Sequence, residues 1–257
     1  MRILVTGDVV GEPGRRLLEE HLPTLKRELS LDFIIVNGEN AAHGHGITEH
    51  IAKGWFDNLG VDVITTGNHA FDVKDIGSYF QREPRLLRPA NYPPGTPGSG
   101  FVKLHTPSGL EVLVMNLMGR VQMPLCDCPF RTADAILAKE RADLVLVDFH
   151  AEATSEAQAL GWHLNGRAAA VVGSHTHVPT LDAKVLGGGT AYVTDIGMVG
   201  PYESVIGMKV EASLSRFLKA KGDRFEVAER DLQFHAMLIE TEGKKATRIE
   251  RVIRTLC

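Results

Sequence analysis

Two histidines separated by one residue follow a short apolar segment in the second half of the chain. Residues 168–172, AAAVV, have the composition of a buried strand, and His175 and His177 come just after them in the motif GSHTH. If the segment stays extended, alternation places both imidazoles on one side, where two ring nitrogens can reach a single metal ion. Imidazole suits iron, manganese and zinc. The alternative for an isolated H-x-H is a pair of surface histidines in a turn.

Four other predicted strands end in the same way, with a side chain that can bind a metal. The strands and the residues after them are residues 2–5 with Asp8, residues 33–36 with Glu39 and Asn40, residues 61–66 with Asn68 and His69, and residues 144–147 with His150. Open α/β sheets keep their sites beyond the carboxyl ends of their strands, so these side chains can converge. Any one of them could be a turn residue or a helix cap. Five strand ends in succession favour a metal centre.

The types of the candidate ligands restrict the metal. Carboxylate, amide and imidazole groups form a mixed oxygen and nitrogen set, which favours Mn²⁺, Fe²⁺/Fe³⁺ or Zn²⁺ over a thiolate site. The candidates exceed what one tetrahedral ion needs, so we predict two ions about 3.5–4 Å apart, bridged by a carboxylate. Cys126 and Cys128 could form half of a zinc site, but the sequence has no second thiol pair to complete it.

Length and composition predict an ordinary globular protein. The 257 residues are 44% hydrophobic and 23% charged, with no linker-like segment, and we predict a single domain spanning residues 1–257. A net charge of −4 predicts no generic nucleic-acid-binding surface, although metal could hold a small phosphorylated substrate. The chain has no apolar run of membrane-spanning length and no secretory pattern at its start. Its three cysteines do not form a disulfide framework, so a cytoplasmic location is expected.

The apolar pattern predicts an α/β fold in layers, in which strands alternate with amphipathic helices. Helices are predicted where leucines or aromatic residues recur with helical spacing, namely at residues 15–29, 48–59, 72–80, 132–141 and 154–164, the second of them capped by Gly60. Two hairpins are predicted, one joining residues 101–104 to 112–115 and one joining residues 181–185 to 191–193. Residues 88–100 are predicted to form an irregular surface loop, and residues 226–253 alternate like strands.

The order of the strand-end motifs resembles that of the calcineurin-like metallophosphoesterases, and within them the YmdB-type phosphodiesterases of bacteria. The motifs are GDVV at 7–10, GEN at 38–40, GNH at 67–69, His150 and GSHTH at 173–177. The superfamily usually has a histidine where this chain has Val10 and an aspartate where it has Glu39. Both departures are found in the YmdB-type subgroup. The resemblance covers nearly the whole chain and implies a central β-sandwich flanked by helices.

The resemblance also implies a ligand set for each of the two ions. The first ion would be held by Asp8, Glu39, Asn40 and His177, and the second by Glu39, Asn68, His150 and His175. Glu39 would therefore bridge the ions. The histidine that is missing at Val10 leaves one shell short of an imidazole, and Asn40 is the nearest candidate to replace it.

The implied reaction is hydrolysis of a phosphodiester such as a 2′,3′-cyclic nucleotide. Two cations would neutralise phosphate oxygens and lower the pKa of a shared water, leaving a bridging hydroxide to attack phosphorus. His69, outside the metal shell, would protonate the leaving alkoxide. His43 and His45, in a loop with glycines, are candidates for substrate-side residues.

Two other functions remain open from the sequence alone. One is a phosphomonoesterase or nucleotidase that uses the same metals. The other is a regulatory module that senses a nucleotide or an RNA end and turns over slowly or not at all. The sequence also leaves open the native metal, the physiological substrate and whether the chain forms a homo-oligomer.

Overall fold

The computed structural model describes residues 1–219 and 226–256, so Cys257 lies outside the described residues. In chain order the elements are β1 (Arg2–Val10), α1 (Gly11–Glu28), β2 (Phe33–Asn40), α2 (Glu49–Gly54) continued by a π-helical turn (Trp55–Leu59), β3 (Val63–Thr65), α3 (Ile76–Arg82), β4 (Phe101–His105), β5 (Glu111–Met118), α4 (Pro129–Lys139), β6 (Leu144–His150), α5 (Thr154–His163), β7 (Ala170–Ser174), β8 (Lys184–Val185), β9 (Ala191–Val193), β10 (Met198–Pro201), α6 (Val210–Lys219), β11 (Leu232–Glu242) and β12 (Lys245–Thr255).

These strands form two mixed six-stranded sheets. The strand order of the first is β12-β11-β10-β1-β2-β3, in which β10, β1, β2 and β3 run parallel. The order of the second is β4-β5-β6-β7-β9-β8, with β4 and β8 antiparallel at its edges and the four inner strands parallel. Because parallel strands share one direction, their carboxyl ends reach the same edge of each sheet.

Apolar residues on both faces of each sheet produce a sandwich of four layers. In β1, Ile3 packs in the cluster between the two sheets, whereas Leu4 packs with α1 on the outer face. In β5, Val112 belongs to the cluster between the sheets and Leu113 to the cluster beneath α4 and α5. Alternate residues of a strand point to opposite faces, so these strands are apolar on both. The predicted α/β sandwich flanked by helices is confirmed.

Most predicted elements are present, with different ends. β1 and β2 continue to Val10 and Asn40, so the first ligands lie inside the ends of the strands and not after them. Both predicted hairpins are formed, and Gly60 closes its helix with φ 65°. The third helix begins at Ile76, four residues later than predicted at residue 72. The sequence analysis did not predict β10 or α6.

The helices differ in how much of their apolar surface they bury. α1 packs Leu18, Leu22 and other apolar residues against the first sheet. α6 buries only Ser213 and leaves Phe217 and Leu218 exposed. No helix within residues 1–219 and 226–256 combines the length and the apolar composition needed to cross a bilayer.

Candidate metal centre

Strand ends from both sheets bring the predicted ligands together around His150, the last residue of β6. Its Nε2 atom lies 3.1 Å from Asn68 Oδ1, 3.0 Å from His175 Nδ1 and 3.4 Å from Glu39 Oε1. Donor atoms about 2.1 Å from a shared ion are about 3.0 Å apart in octahedral and about 3.4 Å apart in tetrahedral coordination. The distances from His150 Nε2 to these three atoms are therefore those of neighbouring ligands in one coordination shell.

The remaining predicted ligands are buried, and two of them face each other. His177 Nε2 lies 3.1 Å from Asn40 Oδ1, and both side chains are buried. The Asp8 side chain is fully buried, and its Oδ1 atom has no hydrogen-bond partner. The same is true of Oε2 of the buried Glu39. Buried carboxylate oxygens without partners are costly unless a cation satisfies them. The facing pair of His177 and Asn40 and the unpartnered carboxylate oxygens of Asp8 and Glu39 therefore fit a bound cation.

Ser174 and Asp148 fix which nitrogen of His150 faces the site. The Nδ1 atom of His150 is 3.1 Å from Ser174 Oγ, and this hydroxyl donates to Asp148 Oδ1 at 2.7 Å. Ser174 therefore accepts from the Nδ1–H group, which leaves Nε2 as the nitrogen of His150 that can bind a metal. Asp148 is held in turn by donors from Thr65 and Asn37.

The two histidines of the GSHTH motif also have acceptor groups on the side away from the site. His175 Nε2 lies 3.2 Å from Glu152 Oε2, and His177 Nδ1–H donates to the Ile206 carbonyl at 2.8 Å. His177 therefore keeps its lone pair on Nε2, which faces Asn40, and Glu152 is placed to orient the ring of His175. Metal-binding histidines in proteins are oriented in this way, by an acceptor on the distant nitrogen.

One positive charge is stabilised between His150 and His175. Burial disfavours a charged His150, but the carboxylates of Glu39 and Asp8 outweigh burial and raise the pKa of His150 to about 9. Burial and then the charge of His150 lower the pKa of His175 to about 3. These opposite directions fit a hydrogen bond between His150 Nε2 and His175 Nδ1, which lie 3.0 Å apart. A bound cation replaces the proton of this bond, since metal ligands must be deprotonated.

The turn that carries His175 and His177 is not a continuation of the strand. β7 ends at Ser174, and the φ angles of His175 and His177 are 113° and 63°. The prediction from strand alternation was therefore wrong, although both rings reach the predicted ligands. Asp195 holds this strained turn, because its carboxylate accepts from the backbone N–H and the hydroxyl of Thr176 at 2.9 and 2.8 Å. Left-handed backbone at residues other than glycine is costly and clusters at functional sites.

His69 lies beside the ligands with its ring bonded elsewhere. Its backbone N–H donates to Glu39 Oε1 at 2.7 Å, and its Nδ1 atom lies 2.6 Å from Asp72 Oδ2. His45 contacts the ring of His69 edge to face, with 4.8 Å between centroids. His45, His69 and Asp72 also place one ligand atom each within 4.8 Å of one another. The short contact between His69 and Asp72 is a hydrogen bond, so the Nε2 atom is the one left for a substrate.

A cleft of about 360 Å³ opens over the candidate ligands. Glu39, Asn40, His175 and His177 line it, together with His45 and His69. His43 is exposed and lines a different cavity with Glu12 and Lys209, so its predicted role on the substrate side gains no support. A larger cavity of about 560 Å³ lies against α4 and contains none of the predicted ligands, so the chemistry of the lining residues favours the smaller cleft.

The sequence analysis missed the residues that orient the ligands. Ser174 lies inside the GSHTH motif, and Asp148 and Glu152 lie two residues on either side of His150, so a signal was present next to the ligands. No pattern in the sequence points to Asp195 or Ile206, which approach the site from other parts of the chain.

Comparison with known proteins agrees with this fold and these motifs. The family model described as YmdB-like protein matches residues 4–252. The chain is 48% identical over 257 residues to the 2′,3′-cyclic-nucleotide 2′-phosphodiesterase of Bacillus subtilis, covering 98% of this chain and 97% of that protein. It matches the crystal structure of a hypothetical protein from Thermus thermophilus with a TM-score of 0.94, at 45% identity and 99% coverage of both chains.

A second solved structure, described as a novel phosphatase from Mycoplasma pneumoniae, matches with a TM-score of 0.93 at 32% identity, covering 99% of this chain and 93% of that one. Likeness in sequence and in fold thus extends over nearly the full length of the chain. The recognition made from the five motifs is confirmed, and the chain belongs to the YmdB-like protein family.

Proposed function

We propose that this protein is a metal-dependent phosphodiesterase that hydrolyses 2′,3′-cyclic nucleotides. The observation that carries the proposal is the set of donor atoms around His150 Nε2, spaced like a coordination shell and bordered by His69. The similarity to the Bacillus subtilis enzyme, at 48% identity over nearly the whole of both chains, supports the substrate class.

Two groups of residues would hold two metal ions. One group is Asp8, Asn40 and His177, and the other is Asn68, His150 and His175. Glu39 would bridge them, because its Oε1 atom is near His150 and its Oε2 atom has no other partner. Manganese or iron suits this mixed set, with zinc as an alternative. When bound, such ions neutralise the charge on phosphate oxygens and lower the pKa of a water molecule.

His69 would supply the proton that the leaving oxygen needs. Asp72 accepts from Nδ1–H, so a protonated His69 presents Nε2–H to the cleft and keeps its orientation after giving up that proton. In a 2′,3′-cyclic nucleotide the leaving group is a ribose oxygen, a strong base, so protonation contributes most there. His45, in contact with the ring of His69, would border the substrate.

A phosphomonoesterase is a second candidate, because one solved relative is described as a phosphatase. The test compares three substrates on protein reconstituted with Mn²⁺ or Fe²⁺: 2′,3′-cyclic AMP, bis-p-nitrophenyl phosphate and p-nitrophenyl phosphate. We expect the two diesters to be hydrolysed faster than the monoester, with adenosine 3′-phosphate as the product of the first. A monoester rate equal to or above the diester rates would overturn the proposal. Hydrolysis of none of the three would favour a binding module.

The matched control for this assay is Asp8→Asn. It keeps the size of a fully buried side chain but removes the charge of an unpartnered oxygen. Activity that depends on the metal centre should be lost in this variant, whereas activity from a contaminating phosphatase would persist.

A further inference from the structure

Four residues that line the cleft together with the histidines are apolar, and we call them the apolar wall. This wall consists of Val205, Ile206 and Met208, from the segment after β10, and of Phe217 from α6. Ile206 is 54% exposed and Phe217 is 82% exposed. None of these residues belongs to the five strand-end motifs. Large apolar side chains exposed at the mouth of a polar site indicate a surface that binds something.

Ile206 connects this wall directly to a candidate metal ligand. Its φ angle is 47°, a left-handed conformation that is rare for a β-branched residue. In this conformation its carbonyl accepts from His177 Nδ1–H at 2.8 Å, while its side chain remains exposed in the cleft. Backbone bonds in both directions between Val205 and Met208, at 2.9 and 3.0 Å, close the turn around it. The position of the apolar wall relative to the metal site is therefore fixed.

Met208 joins the wall to the loop that carries His45. It is 9% exposed, and a Cβ atom placed on Gly44 would lie only 2.9 Å from its Cε atom. Gly44 has a φ of 93° and immediately precedes His45. Met208 therefore packs against the residue before His45, and both Met208 and His45 line the cleft.

Within residues 1–219 and 226–256, Ser213 and Arg216 are the polar side chains that line the cleft beside these apolar residues. The Ser213 hydroxyl donates to the carbonyl of Lys209, the residue before α6, which leaves this hydroxyl only as an acceptor. Arg216 also lines the cleft, and its guanidinium offers donors that can meet an acceptor on any base. The apolar side chains add stacking contacts, which tolerate any base.

We propose that Ile206, Met208 and Phe217 form a subsite for the base of the substrate nucleotide, which binds the flat face of a purine or pyrimidine without selecting its identity. The inference rests on the proposed phosphodiesterase function. A cleft of about 360 Å³ is within the usual size range of small-molecule sites. Stacking of a base on an aromatic ring tolerates any base, since each has a π face. Activity should then depend strongly on the presence of a base and weakly on which base it is.

The experiment compares kcat/KM of metal-reconstituted protein on 2′,3′-cyclic AMP, 2′,3′-cyclic UMP and methyl riboside 2,3-cyclic phosphate, in which a methoxy group replaces the base. All three break the same kind of bond and expel the same kind of oxygen. In the wild type we expect the substrate without a base to be about 10- to 100-fold worse, mainly through KM, which is the usual contribution of one stacked base. The two nucleotides should differ less than tenfold.

Phe217→Ala should lower kcat/KM on both nucleotides toward the value for the substrate without a base, and should leave that third substrate unchanged. The matched control is Leu218→Ala, because Leu218 is the next residue of the same helix, is 77% exposed and does not line the cleft. It should change none of the three rates.

Three results would overturn the subsite. They are equal kcat/KM in the wild type with and without a base, a uniform loss on all three substrates in Phe217→Ala, and an equal loss in Leu218→Ala. Calorimetric titration with adenosine 3′-phosphate and ribose 3-phosphate tests the subsite without turnover. If no substrate is hydrolysed, the proposed function fails. The subsite would still be supported if the wild type binds adenosine 3′-phosphate more tightly than ribose 3-phosphate and Phe217→Ala loses this difference. Equal binding of the two would reject it.

Discussion

Replacing His69 with alanine should remove a proton donor without removing a metal ion. The ring bonds Asp72 and borders the cleft, whereas it is the backbone N–H of this residue that donates to Glu39. His69→Ala keeps that backbone donor. General acid catalysis typically contributes about 10²–10⁴-fold, and the contribution falls as the leaving group becomes a weaker base. The loss should therefore approach this range on a 2′,3′-cyclic nucleotide and be much smaller on bis-p-nitrophenyl phosphate, which expels a stabilised phenolate.

Asp72→Asn gives a graded version of the same change. It weakens one hydrogen bond of 2.6 Å between side chains that are 30% and 47% exposed. A half-exposed contact of this kind contributes about 1 kcal/mol after screening by solvent. Since about 1.4 kcal/mol corresponds to a factor of ten, the rate on the cyclic nucleotide should fall only about fivefold.

The assay measures both rates and the metal content on one preparation of each variant. The expected result is unchanged metal content, with a larger loss on the cyclic nucleotide than on the aryl diester and with His69→Ala more affected than Asp72→Asn. If His69 only supports the loop that carries Asn68, metal content will fall and both substrates will suffer alike. That outcome would remove His69 from proton transfer. Loss of a whole ion in Asp72→Asn would instead indicate that this pair binds metal.

Three further predictions concern the ligands and their support. His177→Ala should lose about one ion per chain, measured by elemental analysis, and a loss of both would contradict separate sites. Ser174→Ala removes the acceptor of His150 Nδ1–H. It should weaken metal affinity about 10- to 100-fold in a chelator competition, because loss of a hydrogen bond to a metal ligand commonly has this effect. Unchanged affinity would reject the orienting role of Ser174. Gly67→Ala should lower both metal content and the melting temperature, because the new Cβ atom would lie 2.1 Å from the ring of His150. The control Gly187→Ala should change neither, because no atom lies within 4 Å of the Cβ position there. Equal effects in both variants would refute the steric argument.

The sequence predicted most of the site because of how parallel strands end. Asp8, Glu39 and His150 each lie at the carboxyl end of an apolar strand, and parallel pairing carries such ends to one edge of a sheet. Strand periodicity and turn residues are local signals, so the elements that carry these ligands were also predicted. Which sheet each strand joins is a long-range property that these signals do not contain.

What the sequence could not predict is set by contacts between distant segments. The prediction of an extended strand failed at His175, where the backbone is left-handed. Thr176 stabilises this turn by donating two hydrogen bonds to Asp195, which lies 19 positions further along the chain. Phe217 in α6 carries no motif and would ordinarily be assigned to a core. It becomes part of the cleft only because its helix buries Ser213 and little else. His43 and His45 have similar neighbours in the sequence. Only the path of the loop places His45 in the cleft and His43 in a different cavity.

The most direct test of two ions bridged by Glu39 is the metal content of wild type and Glu39→Gln after reconstitution with Mn²⁺ or Fe²⁺ and removal of loose metal. Glu39 is 1% exposed and has one oxygen near His150 and one without a partner. We predict two ions per wild-type chain and reduced occupancy of both sites in Glu39→Gln. A reproducible wild-type content of one ion or less, or loss of a single ion in Glu39→Gln with the other held at full occupancy, would contradict the bridged centre.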